Sequence, residues 1–78
     1  MLKQGKMHCS LIIDKDIDSI EKLLSVEEKD LGRASFSYYK KNNKLFIEMN
    51  AEDAVALKTV MNTIAKVLIV WEKSKKIK

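Results

Sequence analysis

Few side chains in this sequence could perform catalysis, and the only histidine, His8, stands beside the only cysteine, Cys9. A histidine acts as a general base when a carboxylate orients it, and it binds zinc only together with further ligands. The residues 7–14 alternate between apolar and polar, with Cys9 on the apolar side, which is typical of a strand with one buried face. Adjacent strand residues point to opposite faces, so His8 and Cys9 cannot form one site. We predict a solvent-facing His8 and a buried, unreactive Cys9.

Two groups of acidic residues are the other candidates for chemistry. Asp14, Asp16 and Asp18 have the alternation that opens a calcium-binding loop, but the glycine and the distal glutamate of that loop are missing. We interpret these aspartates as the end of a strand and the cap of a helix. Glu27, Glu28 and Asp30 lie in a polar segment that we interpret as a solvated loop. The sequence therefore predicts no catalytic residue, no metal site and no cofactor, and we do not expect an enzyme.

Length and composition limit the chain to one small domain. It has 78 residues, is 46% hydrophobic and 33% charged, and contains two glycines and no proline, as in a folded domain with short loops. The net charge is +4 and all but one of the 15 basic residues are lysine, which suits solubility better than specific phosphate recognition. No signal-peptide pattern is present, and the apolar run 64–71 is too short to span a bilayer. We predict a cytoplasmic protein with no membrane partner, one domain over residues 1–78 and a short basic tail over 73–78.

The hydrophobic pattern predicts the element order β-α-β-β-α. Strands are expected over 7–14, 33–41 and 44–50, and the two residues Asn42 and Asn43 tolerate the positive φ of a tight hairpin turn. Asp16 or Asp18 can cap the first helix, and acids open a long second helix over 52–73. We predict an α+β fold with a three-stranded antiparallel sheet, the third strand central, and both helices packed on one face.

The long helix carries more apolar surface than one face of a sheet can cover. One apolar row, which we call the sheet stripe, is predicted to pack on the sheet; it consists of Ala54, Leu57, Met61, Ile64, Leu68 and Trp71. A second row, the partner stripe, is predicted to bind another protein; it consists of Ala56, Val60, Thr63, Val67 and Val70. Exposed apolar area on a small protein usually marks an interface. On this interpretation a Val67→Asp variant should lose its partner and keep its fold.

From Leu24 onward the sequence resembles the small Pcc-type (LAGE/Pcc-like) subunit of the KEOPS complex. The resemblance rests on the run KLFIEMNAEDAVALKTVMNTIAKVLIVWE and on a leucine-to-glutamate turn at 24–27. The positions typical of the family fall on Ala51 and Asp53, on Ala56, Leu57 and Lys58, on Asn62 and Thr63, and on Lys66. Lysines stand where the family usually has arginine, and Val26 stands where it often has proline. The chain therefore resembles a divergent member, or the paralogous second small subunit of some complexes.

The resemblance implies a noncatalytic scaffold. Such subunits form a homodimer, or a heterodimer with a paralogous small subunit, and dock through their helices on the threonylcarbamoyltransferase subunit. The assembly modifies the adenosine next to the anticodon in tRNAs that read codons beginning with A. The resemblance also implies that Val60, Val67 and Val70 join a helical bundle with the catalytic subunit. It further implies that partner subunits bind the ATP, the metal ion and the reaction intermediate.

Two other functions remain open. The first is a small KH-like RNA-binding module, although the Gly-x-x-Gly loop that clamps nucleotides in that fold is missing. Its RNA contacts would come from the basic tail, at Lys73, Lys75, Lys76 and Lys78. A set of aromatic residues could also stack on bases, but sheet packing accounts for most of them: Phe36, Tyr38, Tyr39 and Phe46. The second is a homodimer without a further partner, in which the partner stripe meets its own copy.

Overall fold

The protein is an open three-stranded antiparallel sheet with two helices, as seen in a computed structural model that describes residues 6–76. The elements are β1 (Met7–Ile13), α1 (Ile17–Ser25), β2 (Ala34–Lys41), β3 (Lys44–Ala51) and α2 (Ala54–Lys76). The strand order is β1-β3-β2, with both neighbours of β3 antiparallel to it. The predicted fold class, element order and central third strand are confirmed.

The turn between β2 and β3 sets the register of that hairpin. Asn42 and Asn43 have φ angles of 54° and 63°, the left-handed conformation that a two-residue hairpin turn requires and that asparagine tolerates. Lys41 pairs with Lys44 across the turn, and the ladder continues to Ala34 opposite Ala51. From Leu45 to Ala51, each residue of β3 has one partner on β1 and another on β2, so side chains form rows across the sheet. One such row consists of Ser10, Glu48 and Ser37.

A single core lies between the sheet and the two helices. Leu45 and Ile47 of β3, Ile20 and Leu24 of α1, and Val60 of α2 are all completely buried. Both helices contribute to this core cluster, so both pack on the same face of the sheet, as predicted. The helix α2 packs mainly over β3, less over β2 and least over β1. The inner face of β1 is consequently only partly covered.

The buried line of α2 runs between the two predicted stripes. It consists of Ala56, Val60, Ile64 and Val67, with exposed fractions of 6%, 0%, 2% and 3%. The assignment of Ala56, Val60 and Val67 to a partner-binding surface is therefore wrong. The physical reason is that α1 also packs against α2, so the covered arc of the helix is wider than the sheet alone would make it.

The remaining stripe residues divide between partial burial and exposure. Thr63, Leu57, Leu68 and Trp71 are half-buried, and Ala54 is exposed. Met61, expected on the sheet, is 44% exposed, and Val70 of the partner stripe is 48% exposed. Within residues 6–76, Val70 is the only one of the five predicted partner-binding residues whose side chain is exposed.

The first helix begins at a strained backbone position. Asp16 occupies the N-cap of α1 with φ 51°, but its side chain does not cap that helix. The Nε1–H of Trp71 instead donates to Asp16 Oδ2 over 3.2 Å, which joins the end of α2 to the start of α1. Asp18, the other predicted cap, lies inside α1 and forms an ion pair with Lys40 at 3.1 Å. The position of the cap was predicted correctly, and the role of its side chain was not.

The predicted basic tail is mostly a continuation of α2. The helix runs through Lys76, and Lys73 is exposed on it. Lys78 and the side chains of Lys75 and Lys76 lie outside the described part of the chain, so their contact with RNA stays a prediction.

Replacing Val67 by aspartate should unfold the protein. The substitution places a carboxylate in the core, and we expect the free energy of unfolding to fall by roughly 3 kcal/mol or more, because the buried charge has no partner there. Val70→Asp is the matched control from the same predicted stripe, and it should stay folded. Urea denaturation followed by circular dichroism measures both variants. A native-like Val67→Asp would contradict the burial described here.

Candidate interaction surfaces

The outward face of the sheet carries a hydrogen-bonded group that we call the His8 cluster, made of His8, Ser10, Glu48 and Asn50. Cross-strand pairing brings them together, because His8 lies opposite Asn50 and Ser10 lies opposite Glu48. His8 Nδ1 is 2.8 Å from Asn50 Oδ1, and His8 Nε2 is 2.7 Å from Glu48 Oε1. The Ser10 hydroxyl donates to the same Glu48 oxygen over 2.7 Å. The sequence predicted an outward His8 but not this carboxylate partner, which only the register reveals.

Both ring nitrogens of His8 face oxygen acceptors, which favours the doubly protonated ring. The hydrogen bond with Asn50, followed by the hydrogen bond with Glu48, raises the pKa of His8. The hydroxyl of Ser10, and to a smaller degree His8, lowers the pKa of Glu48. When His8 is protonated, the cluster is an exposed ion pair with neutral hydrogen bonds around it, and it links β1 to β3.

The His8 cluster does not have the geometry of a serine nucleophile. In a Ser-His-acid triad the acid holds one ring nitrogen and the other nitrogen accepts the serine proton. Here Ser10 Oγ lies 3.3 Å from His8 Nε2, the same nitrogen that faces Glu48. Asn50 faces the second nitrogen, so neither is left to take a proton. Within residues 6–76 no three His, Cys, Asp or Glu side chains form a group that could hold a metal ion.

The four aromatic residues considered for base stacking lie on two faces of the sheet. Phe36 is buried and Tyr38 half-buried on the helix side. Tyr39 and Phe46 are on the outward face and stack on each other, with ring centroids 5.1 Å apart and planes 4° from parallel. Ile12, which is 57% exposed, continues their row on β1. The outward face thus has an apolar row beside the polar His8 cluster rather than a four-ring platform.

An apolar groove separates β1 from α2. Its volume is about 190 Å³, and it is lined by Cys9, Leu11, Met49, Met61, Ala65 and Leu68, among others. It exists because α2 lies towards β2 and leaves the inner side chains of β1 half-buried. Met61, Ala65 and Leu68 line it on the helix side, and Ile69 lines the neighbouring cavity at the end of β1; we call these four residues the helix patch. Met61 and Ile69 are 44% and 50% exposed, so the helix patch leaves apolar surface uncovered on the helix side of β1.

The length and composition of α2 point to the same uncovered surface. Over Ala54–Ser74 it is long and apolar enough to cross a membrane, yet only 22% of the most apolar window is buried. A single such helix is weak evidence for a membrane span, and this one packs along its buried line on the sheet. The low burial means that α2 keeps apolar area available for another molecule.

The two edges of the sheet differ in how the chain covers them. Along β2, the Phe36 N–H donates to the Lys29 carbonyl over 3.1 Å, and the Leu31 N–H donates to the Ala34 carbonyl over 2.8 Å. The Lys29 ammonium also lies 5.5 Å from the centre of the Tyr38 ring. Segment 29–31 therefore covers part of the β2 edge. Along β1, no other segment within residues 6–76 pairs with the outer edge.

The residues that carry the family resemblance have mostly structural surroundings. Asp53 Oδ1 accepts from the Ala56 N–H over 2.9 Å and caps α2, and its second oxygen contacts the Arg33 guanidinium. The Ala56 N–H and then Arg33 lower the pKa of Asp53. Lys66 lies 3.7 Å from Glu27 in a weak surface pair. Lys58 and Asn62 are exposed. Asp53 is thus explained by helix capping, Ala51 and Ala56 belong to the core, and Lys58, Asn62 and Lys66 lie on the accessible side of α2.

Comparison of the chain with protein-family models, with curated proteins and with solved structures found no match. The family resemblance therefore stays a prediction that rests on the residues named above.

The titration of His8 should reveal the cluster in solution. We expect its pKa to lie above that of an unfolded histidine, and Asn50→Ala should lower it, because Asn50 makes the largest contribution. The raised folded-state pKa implies a stability gain that is complete below the unfolded value of about 6.5 and is lost as pH rises through the folded-state pKa. NMR chemical shifts of the ring protons measure the titration. Asn62→Ala, which changes an exposed asparagine on α2, should leave the His8 curve in place; equal curves for all three proteins would contradict the described contacts.

Proposed function

We propose that the protein is a noncatalytic, cytoplasmic scaffold subunit of a KEOPS-type assembly that threonylcarbamoylates tRNA. It would bind the threonylcarbamoyltransferase subunit through the helix patch. The observation that carries this proposal is exposed apolar area on α2 that the fold does not use. The family resemblance names the partner, and the β-α-β-β-α order agrees with it.

The spacing of the helix patch suits the docking of another helix. Met61, Ala65, Leu68 and Ile69 stand at positions i, i+4, i+7 and i+8 of α2, the pattern of anchors in helix-in-groove recognition. The small Ala65 between larger side chains lets a partner backbone approach closely. Lys58 and Lys66 flank this patch on its solvent side, which favours a partner helix with acidic residues at its rim.

The contribution of such a subunit to the reaction is mechanical. Its apolar area holds a catalytic subunit in place, and the partners supply the ATP site, the metal ion and the reacting groups. The His8 cluster lies on the opposite face of the sheet from α2, so it would not contact a protein bound at the helix patch.

The KH-like RNA-binding module is the weaker proposal. Only one helix, α1, lies between β1 and β2. Nucleotide clamping in the KH fold uses a Gly-x-x-Gly loop, and no two glycines of this sequence have that spacing. The exposed aromatic pair Tyr39 and Phe46 is already stacked internally. RNA binding by the isolated protein, with an affinity that falls steeply as salt rises, would favour this alternative.

The proposed function is tested by substituting the helix patch at its most exposed large residue. Ile69→Asp should weaken binding of the threonylcarbamoyltransferase by about 10- to 100-fold, since burial of such a side chain contributes roughly 1.5–3 kcal/mol. Tagged wild-type and variant proteins are compared by capture from the source organism's lysate, with a high-salt wash and mass spectrometry. Val55→Asp is the control, because Val55 is an apolar residue of α2 that is 69% exposed and precedes Ile69 by 14 residues, about 21 Å along the helix.

The same two variants can be compared in cells by measuring the level of threonylcarbamoyladenosine in tRNA. Threonylcarbamoyladenosine in tRNA should fall when the wild-type chain is replaced by Ile69→Asp and should persist with Val55→Asp. If the wild-type protein captures neither the transferase nor its kinase partner, and tRNA modification survives its deletion, the proposed function is wrong.

A further inference from the structure

We propose that three sulfur side chains in the groove between β1 and α2 form a binding site for a soft monovalent cation, Cu(I). We call them the sulfur site: Cys9 of β1, Met49 of β3 and Met61 of α2, which all line that groove. The site goes beyond the proposed scaffold role and does not depend on it, because every residue it uses belongs to the isolated chain.

The strand register brings two of the sulfur residues together. Cys9 lies directly opposite Met49 in the ladder between β1 and β3, and both side chains pack on the helix side of the sheet. The Cβ atoms of directly opposite residues are roughly 4.5–5.5 Å apart in an antiparallel pair. Met61 lines the same groove from the helix. Two neighbouring strands and one helix thus contribute one sulfur atom each to a single groove.

The three side chains differ in exposure from the floor of the groove to its rim. Met49 is 4% exposed, Cys9 is half-buried, and Met61 is 44% exposed. The thiol is therefore open to the groove and not sealed in the core, in contrast to the burial predicted for it. Within residues 6–76 none of the three sulfur atoms forms a hydrogen bond or a disulfide. All three are available as ligands.

The donor set selects a soft cation. Thiolate and thioether sulfur are the ligands that Cu(I) prefers, whereas zinc sites use cysteine, histidine and carboxylate ligands. His8 and Glu48 lie together on the outward face of the sheet, so neither reaches the groove. The sequence predicts no metal site because it offers Cys9 no such neighbour. The methionines become candidate ligands only because the fold places them beside the thiol.

The charge balance also favours a monovalent ion. Binding replaces the thiol proton of Cys9 by Cu(I), so one proton is released and the bound ion together with the thiolate has no net charge. A neutral complex suits this groove, where the residues of the lining other than Ser10 are apolar. A divalent ion on the same three ligands would leave one positive charge without a partner in apolar surroundings, which is unfavourable.

The groove admits an ion without rearrangement of the fold. Its volume of about 190 Å³ is several times the roughly 30 Å³ that one water molecule occupies in the liquid. Met61 lies at the rim, and a methionine side chain is unbranched and has three rotatable bonds. This side chain can therefore turn towards a bound ion and close the groove above it.

Anaerobic titration with Cu(I) tests the sulfur site on the isolated, reduced protein, in competition with a colorimetric Cu(I) chelator. We expect each chain to retain a single Cu(I) against the chelator. The X-ray absorption spectrum of the bound ion should show sulfur neighbours without nitrogen. Failure to retain Cu(I), or a nitrogen neighbour such as His8, overturns the proposal. Tighter binding of Zn(II) than of Cu(I) overturns it as well.

Substitutions identify the ligands. Cys9→Ser should weaken Cu(I) binding by more than about 100-fold, since the loss of a mere supporting contact already costs roughly 10- to 100-fold. Met61→Leu should weaken it by about 10-fold or more and should stay folded, because leucine replaces methionine with little change in volume. Met7→Leu is the matched control. Met7 lies on the same strand as Cys9 and is 38% exposed, but it does not line the groove, so its loss should leave the affinity unchanged.

The variants are compared by the same competition titration, with circular dichroism as the check on folding. Retention of Cu(I) by Cys9→Ser, or equal affinities in Met7→Leu and Met61→Leu, would overturn the sulfur site. These measurements use no other protein. Their failure would therefore leave the proposed scaffold function standing, and a failure to capture the transferase would leave the sulfur site standing.

Discussion

The packing of α2 over β3 is the contact on which the rest of the structure depends. Val60 of the helix and Ile47 of the strand are both completely buried, so this contact forms the centre of the core. It also fixes where the helix cannot reach. Because α2 leans towards β2 and α1, the inner face of β1 stays half-open. The same packing that stabilises the chain therefore creates the groove, the helix patch and the exposed edge of β1.

The local elements were predictable because their signals are local. The two asparagines at 42 and 43 specify a hairpin turn, and strict alternation on either side specifies the strands and their faces. The faces of α2 were not predictable in the same way. Val60 and Met61 exchange roles between sequence and structure, the first from surface to core and the second from core to surface. Their positions depend on where α1 packs, and this is a tertiary fact that helical periodicity alone does not contain.

The candidate surfaces show the same division between local and long-range information. The outward position of His8 follows from alternation, whereas its carboxylate partner Glu48 is 40 residues away and is found only through the strand register. Asp53 stood out as part of a family pattern, and the structure gives it the simpler role of capping α2. The covering of β2 by segment 29–31 has no sequence signal at all, because it depends on main-chain hydrogen bonds. These contacts are set by the pairing of residues distant in sequence, which composition and periodicity do not contain.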